Sequence, residues 1–427
     1  MEKNMSLDKL KQHAIDAVDS LAPELIAVSQ AIHAKPELAF EEFFAAETLC
    51  ATLEKHDLPV QKNSFGLETA FVCEFGDGKD KDTPTIGVIS EYDALPAIGH
   101  ACGHNIIAAA GLGAALALSK ILPRHQGTLN GTIRYLGTPG EEGGGGKEYM
   151  AQEKAFDGLC AAMMVHPAGA DLITMPSLAM TEVKVTYHGR NAHAAGTPHE
   201  GINALDALVT AYQSLAQLRQ HIRPTEKIHG IFTEAGDAPN IVPHRASGVF
   251  YVRAADGLAL ADIKNRVHAC LEAGALSSGC AADIEWAKVD YLEIKNNWDI
   301  AHAYRENAEA LGRQFYPIEN LAASGSTDMG NVSHRVPSIH PMIACAPPEV
   351  TIHHPDFTRH AASPAGDKAV LDGAKAMAMT ALDVLMNDPL RQRAQNAFTE
   401  TAESSAQSVA NAWRADGNAT LGGCGCA

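Results

Sequence analysis

The sequence predicts an α/β protein built of two domains, one inserted into the other, and three observations carry that expectation. The chain has 427 residues, beyond the length at which a single hydrophobic core stops growing. Between 180 and 292 the apolar pattern runs β-α-β-β-α-β, the split order of a ferredoxin-like domain. Outside that stretch, three apolar segments end in chemically reactive residues, as strands do at the crevice of an open α/β sheet. The expected division is therefore one domain over 1–179 and 293–393, an inserted domain over 180–292 and a C-terminal tail over 394–427.

Taken in order, "LDKLKQHAIDAVDSLAPELIAVSQAIHA" and "FEEFFAAETLCATLEKH" repeat apolar residues at three- and four-residue spacing and predict amphipathic helices. "TAFVCEFG" and "PTIGVISEYD" predict strands, the second a nearly continuous apolar run suited to the inside of a sheet. "NIIAAAGLGAALALSKIL" predicts a helix of small residues able to pack closely on that sheet. "GTIRYLGTPGEEGGGG" is a strand that breaks into a glycine-rich loop, and "LCAAMMVHP" is an apolar strand ending on a histidine. In the inserted domain, "MTEVKVTYHG", "KIHGIFTEAG", "ASGVFYVRAA" and "CAADIEWAKVDY" predict strands, with "NALDALVTAYQSLAQLRQ" and "LADIKNRVHACLEAGAL" as helices. After 293, "VPSIHPMIACA" supplies another buried strand and "PAGDKAVLDGAKAMAMTALDVLM" a long helix, and the remainder reads as a tail or a loosely docked helix.

Composition narrows the partners. With 33 Lys and Arg against 51 Asp and Glu, the net charge is −18, a field that repels phosphate backbones and anionic headgroups, so neither nucleic acid nor a membrane is expected. The polar, amphipathic start lacks the apolar core of a signal peptide, and no run of ~18 uncharged apolar residues predicts a membrane span. Nine cysteines without a disulfide framework fit a reducing compartment, so a cytoplasmic location is expected. Cys424 and Cys426 in "GGCGCA" read as a flexible end, with soft-metal binding as the alternative.

The chemistry concentrates in "SEYDALPAIGHACGHN". A Cys-Gly-His turn lets Cys102 and His104 aim their lone pairs at one cation while glycine relieves the backbone; a buried cysteine beside a helix-capping histidine is the alternative. In "TPGEEGGGG", Glu141 and Glu142 are adjacent carboxylates next to four glycines, costly in repulsion and chain entropy. A cation would hold one of them and leave the other to take a proton from water; otherwise this is a solvated acidic loop. His166 ends an apolar strand and His353 sits in a proline-bounded turn. Together these residues could hold two ions about 3.5–4 Å apart.

In this order the motifs "IHAKPELAFEE", "EYDALP", "GHACGHN", "GTPGEEGGGG", "GRNAHAAGTPHEGINALDAL", "DAPNIVP", "GSTDMGNVS" and "IHHPDF" resemble the dinuclear-metal aminoacylase and carboxypeptidase family. Within it they are most similar to the amidohydrolase group of hippurate, auxin-conjugate and p-aminobenzoyl-glutamate hydrolases. The resemblance implies a zinc-exopeptidase-like α/β/α catalytic domain with a ferredoxin-like lid and dimerisation domain. It implies Cys102 as bridging ligand where carboxypeptidase relatives have aspartate, Glu142 and His353 on one ion, and His104 and His166 on the other. Glu141 is implied as general base and Asp93 as the acid that orients a ligand. His193 is implied as an oxyanion donor reaching into a partner's site, hence a homodimer. Asn240 is implied as a substrate contact, and the forked guanidinium of Arg253 suits a substrate carboxylate, with a surface strand arginine as the alternative.

Glu91 stands where the carboxypeptidase branch has a ligating histidine, and His354 beside His353 leaves the last ligand open between the two, with His353 preferred by its distance from Pro355. A thiolate and three imidazoles favour zinc, with manganese next. The expected activity is metal-dependent hydrolysis of an N-acyl amino acid or a small dipeptide-like amide, of the aminobenzoyl-glutamate or β-alanyl dipeptide type. A catalytically silent binding protein on the same fold and a peptidase acting on longer chains are the alternatives.

Overall fold

The structure, a computed structural model, describes residues 6–78, 83–125, 129–319, 321 and 325–414. Cys424 and Cys426 lie outside them. In chain order the elements are α1 (Leu7–Ala34), α2 (Phe43–Lys55), β1 (Val60–Lys62), β2 (Phe71–Gly76), β3 (Thr85–Ser90), α3 (His104–Ile121), β4 (Thr132–Gly137), α4 (Gly146–Gln152), β5 (Ala161–Met163) and β6 (His166–Ala168). There follow β7 (Ala179–His188), α5 (Ala204–Leu218), β8 (Lys227–Glu234), β9 (Arg245–Ala254), α6 (Gly257–Ser278) and β10 (Ala281–Trp286). The chain ends with α7 (Trp298–Ala310), α8 (Met329–Ser333), β11 (Ser338–Ile339), β12 (Met342–Ala344), α9 (Pro355–Ala361), α10 (Pro364–Met386), α11 (Asp388–Thr399) and α12 (Ala402–Ala412). Two compact units result, one of Met1–Pro176 with Ile294–Ser405 and one of Ser177–Glu293 with Ala406–Ala427.

The first unit is an α/β/α sandwich. Its sheet runs β1-β2-β4-β3-β5-β11, with β3 parallel to β4 and β5, and β5 parallel to β11. Alternate residues serve opposite faces, as the pleat requires. Ile86, Val88, Ile133, Tyr135 and Met163 join the core formed with α1, α3 and α10. Ile89, Leu136, Ala162 and Met164 join a second core with Met150 of α4 and Met329 and Val332 of α8. The small residues of α3 let it lie close to β3, since a methyl at Gly111 would overlap Ser90 Oγ. α3 is also, among the described residues, the one helix long and apolar enough to cross a membrane, yet 89% of it is buried as the central helix of this core.

The structure divides two segments that the sequence reads as single strands. "LCAAMMVHP" becomes β5 and β6, and "VPSIHPMIACA" becomes β11 and β12, with β6 and β12 forming a separate two-stranded parallel sheet. Met164 N still donates to Ile339 O, and His166 N to Pro341 O. Pro341 has no N–H to return, so the ladder breaks beside it. The break turns His166 off the end of the main sheet.

The second unit pairs its strands in the order β10-β7-β9-β8, all antiparallel, the ferredoxin-like arrangement. α5 and α6 close one core with Val183, Val185, Phe250 and Val252. β8 is an edge strand, with Ile231 67% and Phe232 39% exposed. From 394 onward, where a tail is expected, the chain completes α11 and forms α12; Ala394 is buried, and its carbonyl accepts from Asn297 Nδ2 at 2.8 Å. Alanine at helical spacing is apolar enough to dock a helix without a strong amphipathic signature. Beyond α12, Arg414 and Lys264 both reach the buried Asp290 at 2.6 Å.

Candidate metal centre

The parallel strands β3, β4 and β5 end on the same edge of the sheet, with Ser90 opposite Gly137, and the loops after them carry the reactive residues. Glu91 and Asp93 follow β3, Glu141 and Glu142 follow β4, and His166 opens β6. Between Cys102 and His104, Gly103 takes a left-handed conformation with φ 77° and serves as the N-cap of α3. This turns the thiol and the imidazole toward one space. His353, itself at φ 64°, is fixed to the same turn by its N–H, which donates to Ala101 O at 2.8 Å.

These side chains form two triads that share one sulfur: Cys102 with His104 and His166, and Cys102 with Glu142 and His353. Cys102 Sγ lies 3.3 Å from His166 Nε2, and Glu142 Oε1 lies 3.3 Å from His353 Nε2. His166 Nδ1 donates to Pro167 O at 2.7 Å and His104 Nδ1 to Asp93 Oδ1 at 3.0 Å. Each bond keeps a ring proton on Nδ1, so that in the ligating form the Nε2 lone pair faces the pocket. Asp93 Oδ2 also accepts from Glu142 N at 2.7 Å, so one carboxylate braces a residue of each triad. A third group, Glu91, His104 and Glu141, shares His104.

The residues fit divalent cations. Glu91 Oε1, His104 Nε2 and Glu142 Oε1 are buried with no hydrogen-bond partner, a costly state unless an ion takes their lone pairs. Burial, then the carboxylates of Glu91 and Glu142, push the Glu141 carboxyl well above its ordinary range. Burial likewise pushes the Cys102 thiol up and draws the His166 imidazole down to about 4. A bound cation offsets crowded carboxylates and takes a coordinating sulfur as thiolate.

His354 turns elsewhere: its Nδ1 accepts from Asp356 N at 3.2 Å as the N-cap of α9. Within the second unit, His193 Nδ1 accepts from Ala195 N at 3.2 Å and Gly196 N at 3.0 Å, which puts the ring proton on the exposed Nε2. Asn240 lies beside it, its carbonyl accepting from Ala194 N at 3.0 Å. Arg253 is not brought to this corner. It lies near the far end of β9, eight residues beyond Arg245, or roughly 27 Å at strand rise.

The sequence signature of the peptidase dimerisation domain of the M20 family matches residues 179–278. Over 401 residues the chain is 39% identical to the Xaa-Arg dipeptidase of Mus musculus, covering 92% of this chain and 93% of that one. The chain belongs to the M20 family of metallopeptidases. M20 membership makes it a metal-dependent hydrolase of linear amides or small peptides. It is also 28% identical to one of the p-aminobenzoyl-glutamate hydrolase chains of Escherichia coli K12, over 91% of this chain and 95% of that one. In fold it is similar to a Bacillus subtilis structure titled a dinuclear metal binding peptidase from the M20 family, with TM-score 0.65 and 20% identity over 86% of this chain and 99% of the other.

The M20 site contains further residues that sequence reasoning passes over. Glu42 accepts from Gly140 N at 2.8 Å and so fixes the loop before Glu141. Lys147 and Asp328, both fully buried, are joined at 2.7 Å, and Lys147 reaches Glu91 at 2.5 Å. In a lone sequence, charged residues in a glycine-rich loop or after a turn read as solvated. Only a count of buried carboxylates in need of a counter-charge could have singled them out.

Proposed function

We propose that this M20 enzyme is a dinuclear metallohydrolase that splits small dipeptides, and that those with a basic C-terminal residue are its first substrates. The observation that carries the reading is the pair of triads sharing Cys102. Cys102 would be shared by two divalent ions, zinc by preference on the softness of its donors and manganese next. Glu142 and His353 would complete one pocket, and His104 and His166 the other. When bound, the ions polarise the scissile carbonyl and make a water acidic enough to attack near neutral pH.

The chain's own residues do the rest. Asp93 keeps His104 in the ligating tautomer. Glu141 takes a proton from the attacking water and, as the C–N bond breaks, returns it to the leaving amine. His193 donates from Nε2 to the oxyanion of a partner's site, with Asn240 beside it on the substrate. The chain therefore works as a homodimer, a reading supported by the dimerisation-domain match and by the open edge of β8 with its exposed Ile231 and Phe232. Arg253, at the other end of its strand, is proposed as a contact for a substrate carboxylate on the fit of its forked guanidinium.

For the substrate, the Xaa-Arg dipeptidase relative and a net charge of −18 both favour a cationic leaving group. A cytoplasmic location accords with the free thiols of Cys50, Cys73, Cys102, Cys160, Cys270, Cys280 and Cys345. The test is a panel of Xaa-Arg, β-alanyl and N-acyl amino acid amides and p-aminobenzoyl-glutamate, assayed with zinc- and manganese-loaded protein and its Glu141→Gln variant. We expect Xaa-Arg turnover, and a loss of about 10²–10⁴ in kcat in the variant. Undiminished turnover in Glu141→Gln sinks the assignment of the base.

A further inference from the structure

We propose that Lys147 is a positioning residue of the metal centre, and that the carboxylate it holds, Glu91, is a sixth ligand, contributing to the cation beside His104. The inference rests on the dinuclear reading above and extends it to residues outside the two triads.

Glu91, Lys147 and Asp328 are fully buried, and Lys147 Nζ stands between the two carboxylates, 2.5 Å from Glu91 Oε2 and 2.7 Å from Asp328 Oδ1. One ammonium against two carboxylates leaves one negative charge, to be balanced by the His104 ring 3.3 Å from Glu91 or by a cation in place of its proton. Such a charge is not kept in a protein core without a counter-ion. Asp328 is the better satisfied of the two acids, since its Oδ2 also accepts from Lys147 N at 2.9 Å. The deficit therefore falls on Glu91.

Geometry shows where the missing charge belongs. Lys147 engages only Oε2 and so turns Oε1 toward His104 Nε2, 3.3 Å away. Both of these atoms are buried without a hydrogen-bond partner, and His104 Nδ1 is committed to Asp93. Without an ion the two are close enough for a His104 imidazolium to face the Glu91 carboxylate; a cation would take the place of that proton between two lone pairs. Ligand atoms about 2.0–2.2 Å from a tetrahedral zinc lie roughly 3.3–3.5 Å apart, so the observed separation fits two donors on one ion, and Glu91, His104 and Glu141 offer atoms within 4.8 Å of one another. Lys147 itself sits at the start of α4, where Gly146 N donates to Gly140 O at 3.2 Å and a Cβ on Gly146 would overlap Pro139 O, so this glycine lets the helix start against the loop that leads to Glu141.

The experiment is a zinc and manganese titration of full-length protein by calorimetry with chelator competition, and cobalt substitution to read coordination from the visible spectrum. Two variants are used. Glu91→Gln is nearly isosteric and leaves Lys147 paired with Asp328; Lys147→Met with Asp328→Asn removes one charge of each sign and leaves Glu91 in place without its ammonium partner. In both, we expect one cation to bind as in the parent and the other to weaken about 10-fold or more, with the cobalt bands of that site altered. A role confined to folding would lower the melting temperature and leave both affinities alone. Two parent-like affinities in either variant overturn the proposal. Uptake of fewer than two cations by the unmodified protein overturns instead the dinuclear reading beneath it.

Discussion

The Asp93 carboxylate accepts the Nδ1–H of His104 at 3.0 Å, and its second oxygen holds the backbone N–H of Glu142 at 2.7 Å. One buried acid thus sets the aim of a side chain in each half of the centre. Asp93→Asn can accept through only one atom, so one of these bonds is lost. Metal affinity should fall about 10–100-fold, as it does when a ligand's orienting partner is removed, while the fold survives. Chelator competition measures the fall; parent-like retention of both ions counts against the bracing role.

His193 presents its Nε2 outward from the second unit, held by the two N–H groups on Nδ1. If it serves the partner's site, a protomer carrying His193→Ala and one carrying Glu141→Gln complement each other. Each homodimer should be slow, with the histidine variant down about 10²–10³ in kcat from the loss of one oxyanion donor. Mixing with exchange of protomers should restore activity, because one site then combines an intact Glu141 with an intact His193. No restoration after verified exchange would place the histidine's action within its own chain.

Gly103 separates Cys102 from His104 at φ 77°, and a Cβ there would come within 2.5 Å of Pro167 Cγ. An L-residue in this conformation costs about 1–2 kcal/mol before the clash is counted. Gly103→Ala should therefore lower stability by more than that and weaken both ions together, since the turn aims the shared sulfur. Thermal melts with and without zinc would show the smaller metal-induced stabilisation.

Glu42 is buried where it accepts from Gly140 N, Phe40 N and Thr69 Oγ1. Burial, then the Asp93 carboxylate, raise its pKa from 4.5 to about 7. The folded state then holds a proton that the unfolded chain has released between those values. Stability from this group is full below pH 4.5, falls as pH rises toward 7 and is flat above, a span of roughly 3 kcal/mol at most. Urea midpoints of the parent and of Glu42→Gln across this range should diverge accordingly; parallel profiles would refute it.

Most of the sandwich and the whole order of the inserted unit were legible because continuous apolar runs and strict alternation are local signals. The candidate ligands were legible because Cys102, Glu142, His166 and His353 each stand at a strand end or a turn. What escaped the sequence depends on partners distant in the chain. Lys147 and Asp328 are 181 residues apart, and nothing near either marks it as buried. Arg253 suits a substrate carboxylate by its chemistry, and the strand register that sets it opposite Lys227 is not legible from the arginine itself. The division of β5 from β6 and of β11 from β12 follows from a missing N–H at Pro341, whose effect depends on which strand lies alongside.

The shared sulfur has a further consequence. Where an aspartate in the bridging place would be indifferent to oxidants, a thiolate can be converted to sulfenic or sulfinic acid, and here one such event would dismantle both cation pockets at once. On the dinuclear reading proposed above, oxidation of Cys102 would take both ions away together, whereas loss of a ligand held by one ion alone weakens only that ion, and hydrolysis would follow the redox poise of the surroundings through one atom.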